Sequence, residues 1–362
     1  MRRVGIVGTG LVGGSVGLAL RRSGVSVAGF DRDPGNLARA VEIGAIDDPV
    51  TTIGDAAADA DVVLVAVPVG HVADLVIQAL DAGGAAVTDV GSVKAPIVDM
   101  VTAARPALAE RFVGGHPMAG SEQDGLDGAD ADLFVGTTWV LTPTDSTDMA
   151  AFTAVRALVG LVGPEVLAVS PEHHDALVAV VSHVPQLAAT TLMDVAATRG
   201  EEHATLLRLA AGGFRDMTRI ASGHPGIWPD ICVANRDAIV TALDEYLEAL
   251  VRVRGLVTAG DRDGLLQLLE RARNARRNLP QGTDPGEMLA ELRVPILDRP
   301  GSLAEVTTLA GGMGVNISDF EIAHSAEGGG GVLVLVIPAA DAEAFVHALT
   351  DLGYRPGKTE LP

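Results

Sequence analysis

The first 165 residues alternate short apolar runs with amphipathic stretches separated by turn residues, the rhythm of strands and helices in an α/β sheet. Strands are predicted over Val4–Val7, Val25–Phe30, Asp61–Val67, Ala85–Val90 and Thr137–Leu141. Helices are predicted over Val16–Arg22, His71–Leu80, Pro96–Leu108 and Met149–Val162. From Ser170 this alternation stops. Residues 171–211 read as long helices, nearly apolar all round at Ala176–Val181 and Leu187–Val195, and such helices bury themselves in a bundle or against a second subunit. Leu243–Val257 and Leu265–Arg273 are further helices, and residues 274–288, with two prolines and two glycines, read as a linker. A compact βαββαβ pattern follows, of ferredoxin-like type: strand Glu291–Leu297, helix Leu303–Gly311, strand Val315–Ala323, a hairpin turn at Gly328–Gly331, strand Val332–Ile337, helix Asp341–Leu352 and a last strand from Tyr354. The expected division is 1–165, 166–280, a linker at 281–289, and 290–362.

The first turn carries chemistry. Gly8-Thr9-Gly10-Leu11-Val12-Gly13 follows one strand and opens a helix, and a second strand ends on Asp31 about 20 residues on, the dinucleotide fingerprint in its required setting. Gly8 permits the tight turn, Gly10 admits a pyrophosphate, and Gly13 allows close helix–strand packing beside the positive end of the helix. Asp31 accepts hydrogen bonds from a ribose and repels a 2′-phosphate, which favours NAD, although Arg32 beside it softens that preference. Val67 and Pro68, at the next strand end, are expected on the cofactor cleft. Ligands sit beyond the carboxyl ends of such strands, so Pro68, Gly91-Ser92-Val93-Lys94 and the loop at His116 are expected to face one crevice. There Ser92 is either a hydrogen-bonding residue or the cap of the following helix, and Lys94 either a site cation or a solvated surface lysine.

The stretch Phe112-Val113-Gly114-Gly115-His116-Pro117-Met118-Ala119-Gly120-Ser121-Glu122 runs from a short strand into glycines and a histidine held in front of a proline. Alone, it is equally a surface turn. Glu172-His173-His174-Asp175 invites a metal reading, but adjacent histidines on a helix point to different sides and no recognised ligand spacing supports it. Ser182-His183-Val184-Pro185-Gln186 holds a histidine read first as a satisfied core residue and second as pocket lining. In Gly212-Gly213-Phe214-Arg215-Asp216-Met217-Thr218-Arg219, the i,i+3 spacing of Asp216 and Arg219 suits a helical ion pair, and carboxylate binding by an arginine is the alternative.

Composition narrows the setting. The 362 residues are 48% hydrophobic and 20% charged, which suits globular domains, and the formal net charge of −21 disfavours nucleic acid and anionic membranes as partners. An anionic substrate then requires its own local cation. One cysteine, Cys232, suits a reducing, cytoplasmic setting, and no uninterrupted apolar run has the roughly 18–20 residues of a membrane span.

Together the motifs Gly8–Ser15, Gly91-Ser92-Val93-Lys94, Gly115–Glu122, Ser182–Pro185 and Gly213–Ile220 resemble the prephenate/arogenate dehydrogenases of tyrosine biosynthesis, over roughly residues 1–280. Asp298-Arg299-Pro300-Gly301 is similar to ACT domains, which bind amino acids. The resemblance implies a Rossmann-type α/β domain, an all-α dimerisation domain and a small α+β ACT domain, in an NAD-dependent homodimer that decarboxylates prephenate oxidatively. It implies His116 as the catalytic histidine with Ser92 beside it. Substrate contacts would come from Arg219, Ser121, Glu122, Gln186, Trp228, Gly212, Asp216 and His183. In the ACT domain Asp298, Gly301 and Asn316 would contact an amino-acid effector, with tyrosine expected. No metal is implied. Some prephenate-specific members carry a second histidine where this chain has Gln186, and a neutral amide there admits arogenate as well. A β-hydroxyacid dehydrogenase would need a catalytic lysine on a helix of the second domain, and no lysine lies between Lys94 and Lys358. A non-catalytic NAD- and amino-acid-sensing protein is the remaining alternative.

Overall fold

The computed structural model describes residues 1–119, 125–202, 207–223, 225–278, 289–297, 299, 301–317, 319–324 and 330–360. The chain divides into two units, Met1–Gly260 and Asp261–Pro362.

The first unit is built on an eight-stranded sheet in the order β3-β2-β1-β4-β5-β6-β7-β8. Its strands are β1 (Arg3–Val7), β2 (Ser26–Phe30), β3 (Asp48–Pro49), β4 (Val62–Val65), β5 (Val87–Asp89), β6 (Phe112–Pro117), β7 (Thr138–Thr142) and β8 (Glu165–Ala168). Helices α1 (Leu11–Arg22), α2 (Pro34–Glu42), α3 (Ile53–Ala57), α4 (Val69–Asp81), α5 (Ala95–Ala104) and α6 (Met149–Val162) connect them. Pairing is parallel from β3 through β6, antiparallel between β6 and β7, and parallel again to β8. The sheet is therefore mixed, with its antiparallel pairing at β6–β7. The strands are buried on both faces: Val4, Ile6, Val62 and Leu64 pack with α1 and α6, while Val7, Val63, Val65 and Val87 pack with α3, α4 and α5. The apolar runs made β1, β2, β4 and β5 legible. The short β3 and the exposed β8 give too little apolar signal to be read.

Beyond the sheet, α7 (Pro171–Val178) passes through a π-helical turn, Ala179–His183, into α8 (Val184–Glu202). Ser170 caps α7 by accepting from the His173 amide at 3.2 Å. By length and composition, the run Pro171–Gly200 is apolar enough to cross a membrane. It nevertheless carries His174, Asp175, His183 and Gln186 buried against protein, so these polar groups face the fold. Helices α9 (Gly212–Thr218), α10 (Trp228–Ala234) and α11 (Arg236–Ala259) complete the unit.

The second unit starts with α12 (Arg262–Arg277), so residues 274–277, expected in a linker, are helical. Residues 279–288 lie outside the described residues. The rest is a βαββαβ module: β9 (Leu289–Leu297), α13 (Ser302–Met313), β10 (Asp319–His324), β11 (Gly330–Pro338), α14 (Ala339–Asp351) and β12 (Gly357–Glu360). Its sheet is antiparallel in the order β10-β11-β9-β12, the ferredoxin-like topology. Leu292, Val294, Leu333 and Leu335 face Val306, Ala310, Phe345 and Leu349 across one core.

Candidate active site

The end of β1 forms a nucleotide cleft. Gly8 has φ of +95° and its amide donates to the Phe30 carbonyl at 2.8 Å, a turn only glycine makes without strain. A side chain on Gly13 would run into the Gly8 carbonyl, whereas nothing lies within 4 Å of one built on Gly10. The backbone is therefore bare where a pyrophosphate would approach the N-terminus of α1, which begins at Leu11 and Val12. Asp31 Oδ2 accepts from the amide and hydroxyl of buried Thr9 at 2.7 and 3.0 Å, and its Oδ1 accepts from the Asp33 amide at 2.9 Å. Gly8, Gly10, Asp31, Arg32, Val67 and Pro68 all line a cleft of about 510 Å³, so the dinucleotide residues expected from sequence fit such a group.

Behind β6 lies a buried ion pair. Lys94 and Asp89 are fully buried and bonded to each other, and Lys94 Nζ also donates to the Gly115 carbonyl at 2.8 Å. Asp89 accepts in addition from the amides of Gly91 at 2.8 Å and Gly115 at 3.0 Å. Burial lowers the Lys94 pKa, and Asp89 opposes that shift. Lys94 is thus neither a surface lysine nor an open site cation. Gly114 and Gly115 are small because the strand is pressed onto this pair: a Cβ on Gly115 would lie 2.6 Å from the Asp89 carbonyl oxygen.

His116 sits within β6, not in the loop expected after it, and is buried. Its Nδ1 is 2.9 Å from His174 Nε2, and His174 Nδ1 is 2.8 Å from Asp175 Oδ1. Asp175 accepts from the amides of Lys94 and Ala95, each at 2.8 Å, so it caps α5 from another helix. Ser92, half-buried, does not cap that helix. Burial holds the His116 imidazole well below its ordinary protonation range, and His174, Lys94 and His183 add to this.

A second buried histidine adjoins the first. Asn235 Nδ2 donates to the Asp175 carbonyl at 2.9 Å and lies 3.2 Å from His183 Nδ1. The half-buried Trp228 stands edge-on to the His183 ring, centroids 6.1 Å apart. Burial brings the His183 pKa down to about 4 against an opposing pull from Asp175, so the ring is neutral near pH 7. His183 is thus buried, with Nδ1 held by Asn235 and its ring edge-on to Trp228.

Other expected residues sit on later elements. Gln186 is buried on α8, Gly212 and Asp216 are exposed on α9, and Arg219 is exposed in the helical turn that follows. Ser121, Glu122 and Asp298 lie outside the described residues. Gly301 has φ of +95° and precedes α13, and Asn316 is exposed. Arg299, Ser302, Glu305, Tyr354 and Arg355 line a cleft of about 360 Å³ at the start of α13, with Tyr354 Oη donating to Glu305 at 2.7 Å. Sequence reasoning missed His174, Asp175 and Asn235 as parts of the histidine cluster. The one available signal was that the Glu172–Asp175 polar run begins a nearly apolar helix.

Two family models match in succession: "Prephenate dehydrogenase, nucleotide-binding domain" over residues 16–168 and "Prephenate dehydrogenase, dimerization domain" over residues 170–271. A prephenate dehydrogenase of Bacillus subtilis is 31% identical over 93% of this chain and 92% of its own length. The chain belongs to the prephenate dehydrogenase family. A cyclohexadienyl dehydrogenase of Zymomonas mobilis is 32% identical over 78% of the chain and 98% of its own length. Among solved structures, a prephenate dehydrogenase from A. aeolicus in complex with hydroxyphenyl propionate and NAD+ is 33% identical, with a TM-score of 0.71 over 77% of this chain and 99% of that one. A Synechocystis arogenate dehydrogenase is 30% identical, with a TM-score of 0.66 over 76% of this chain and 98% of that one. The relatives thus include proteins named for either substrate, prephenate or arogenate.

Proposed function

We propose that the protein catalyses NAD-dependent oxidative decarboxylation of prephenate to 4-hydroxyphenylpyruvate, with His116 as the general base. The observation that carries this reading is a buried imidazole, kept neutral by its surroundings, in the same sheet whose first strand ends in the nucleotide-binding turn. When bound, NAD+ supplies the hydride acceptor. His116 takes the proton of the ring hydroxyl as hydride leaves the same carbon, and the resulting ketone accepts the electron pair released when carbon dioxide departs. The phenolate oxygen then recovers a proton from His116. By likeness to the family, Arg219 is assigned a substrate carboxylate, Ser92 a hydrogen bond near the reacting hydroxyl, and Ser121, Glu122, Gln186 and Trp228 further contacts to substrate.

The chain works as a homodimer. Val180, Val181, Val195, Met217, Leu247 and Val251 expose large apolar surfaces on the helices after residue 170, the region matched to the family's dimerization domain. The C-terminal module is an ACT domain that responds to an amino acid, with tyrosine expected. The Bacillus subtilis relative, aligned over 93% of this chain, spans most of that module too. The lone cysteine supports a cytoplasmic setting.

Turnover of prephenate and arogenate, each measured with NAD+ and with or without tyrosine, tests the reading. A clear preference for prephenate supports it. A strong preference for arogenate replaces the substrate assignment, and an unchanged rate with tyrosine removes that effector.

A further inference from the structure

A carboxylate only accepts hydrogen bonds, and Asp175 receives three: from His174 Nδ1 and the amides of Lys94 and Ala95. His174 therefore carries its proton on Nδ1 and turns a bare Nε2 toward His116. The 2.9 Å contact then needs its proton from His116 Nδ1. A neutral His116 so arranged has its free lone pair on Nε2. We propose that His174 and Asp175 are positioning residues that fix the His116 tautomer, making Nε2 the atom that receives the substrate proton. This rests on the reading of His116 as the base.

The other groups facing this ring are consistent with the arrangement. Lys94, beneath the strand, is neutralised by Asp89 and directs its ammonium to the Gly115 carbonyl. His183 offers no competing acceptor to His116, because its Nδ1 takes a hydrogen from Asn235. That assignment is fixed, since the same Asn235 nitrogen must donate to the Asp175 carbonyl. Asp175 also anchors the first turn of α5 and hence the segment carrying Ser92. One carboxylate thereby holds both the ring orientation and the loop beside it. When His116 gains a proton on Nε2, the Nδ1–H bond persists and the His174 dipole, aligned by Asp175, stabilises the imidazolium.

The test uses the full-length enzyme with selectively ¹⁵N-labelled histidine and two variants, His174→Phe, which fills the space without an acceptor, and His174→Gln, whose carbonyl restores one. In the wild type, nitrogen shifts and long-range couplings are expected to place the His116 proton on Nδ1. His174→Phe is expected to move it toward Nε2 and lower kcat about 100-fold with KM for NAD+ nearly unchanged. His174→Gln is expected to keep the Nδ1 proton and most of the turnover. A wild-type His116 protonated on Nε2 overturns the proposal with no variant needed. So does His174→Phe with the wild-type tautomer, or equal loss in both variants without a tautomer change. A His116→Asn control that keeps full turnover would instead overturn the base assignment, and the tautomer measurement stands independently of it.

Discussion

Asp175 Oδ2 lies 2.8 Å from the amide of Ala95, joining α7 to the first turn of α5, 80 residues earlier in the chain. A helix normally caps itself with a side chain just before its first turn. Here Lys94 occupies that position with its side chain committed to Asp89, so the cap arrives from a different helix.

Removing the cap should therefore cost more than a surface cap does. Asp175→Ala leaves two amides and His174 Nδ1 without their acceptor, and stability is expected to fall by roughly 2–4 kcal/mol. Urea denaturation of the two proteins measures this, and an unchanged midpoint would contradict it.

His116→Asn should leave NAD+ binding intact, because the nucleotide turn at Gly8–Gly13 belongs to a different part of the sheet. Turnover is expected to fall by about 10²–10⁴. Calorimetric NAD+ titration beside steady-state kinetics separates the two effects.

The Lys94–Asp89 pair has no exposure to water, so loss of one partner strands the other. Lys94→Met is expected to destabilise the protein by roughly 3–5 kcal/mol. Adding Asp89→Asn should return part of that loss, because an amide needs no counter-charge. If the double variant is no more stable than the single one in denaturant melts, the ionic account fails.

The two depressed histidines give stability a definite pH dependence. His183 has a pKa of about 4 in the folded chain and an ordinary value near 6.5 when unfolded, and His116 is shifted in the same direction. Between these values the unfolded chain binds protons that the folded one does not, so stability falls as pH drops from about 6.5 toward 4. Above 6.5 these two groups contribute no slope. Denaturation midpoints at pH 7.5, 6 and 4.5 check the direction, and replacing His183 by Asn should flatten the acid limb.

Much of the fold was readable before any coordinate. Helix α6 was expected at Met149–Val162 and has those bounds, because a long amphipathic run between turn residues leaves little choice. The nucleotide turn was equally plain, since Gly8 and Gly13 are required by backbone geometry local to one strand and one helix. The extent of β6 was less so. Gly114 and Gly115 looked like a loop, and they lie in a strand because Asp89 and Lys94 press against it from beneath.

The sequence by itself determined the sheet-building rhythm, the dinucleotide turn, the βαββαβ module and the histidine to examine, all features written in neighbouring residues. Tertiary structure alone decided what surrounds that histidine. Lys94 became a buried partner of Asp89, Ser92 yielded the helix cap to Asp175, and His174 came to rest against His116 across 58 positions of sequence. Periodicity reports which face of an element is apolar. It carries no information on which distant polar group arrives to satisfy a buried nitrogen, because that pairing exists only once the helices pack on the sheet.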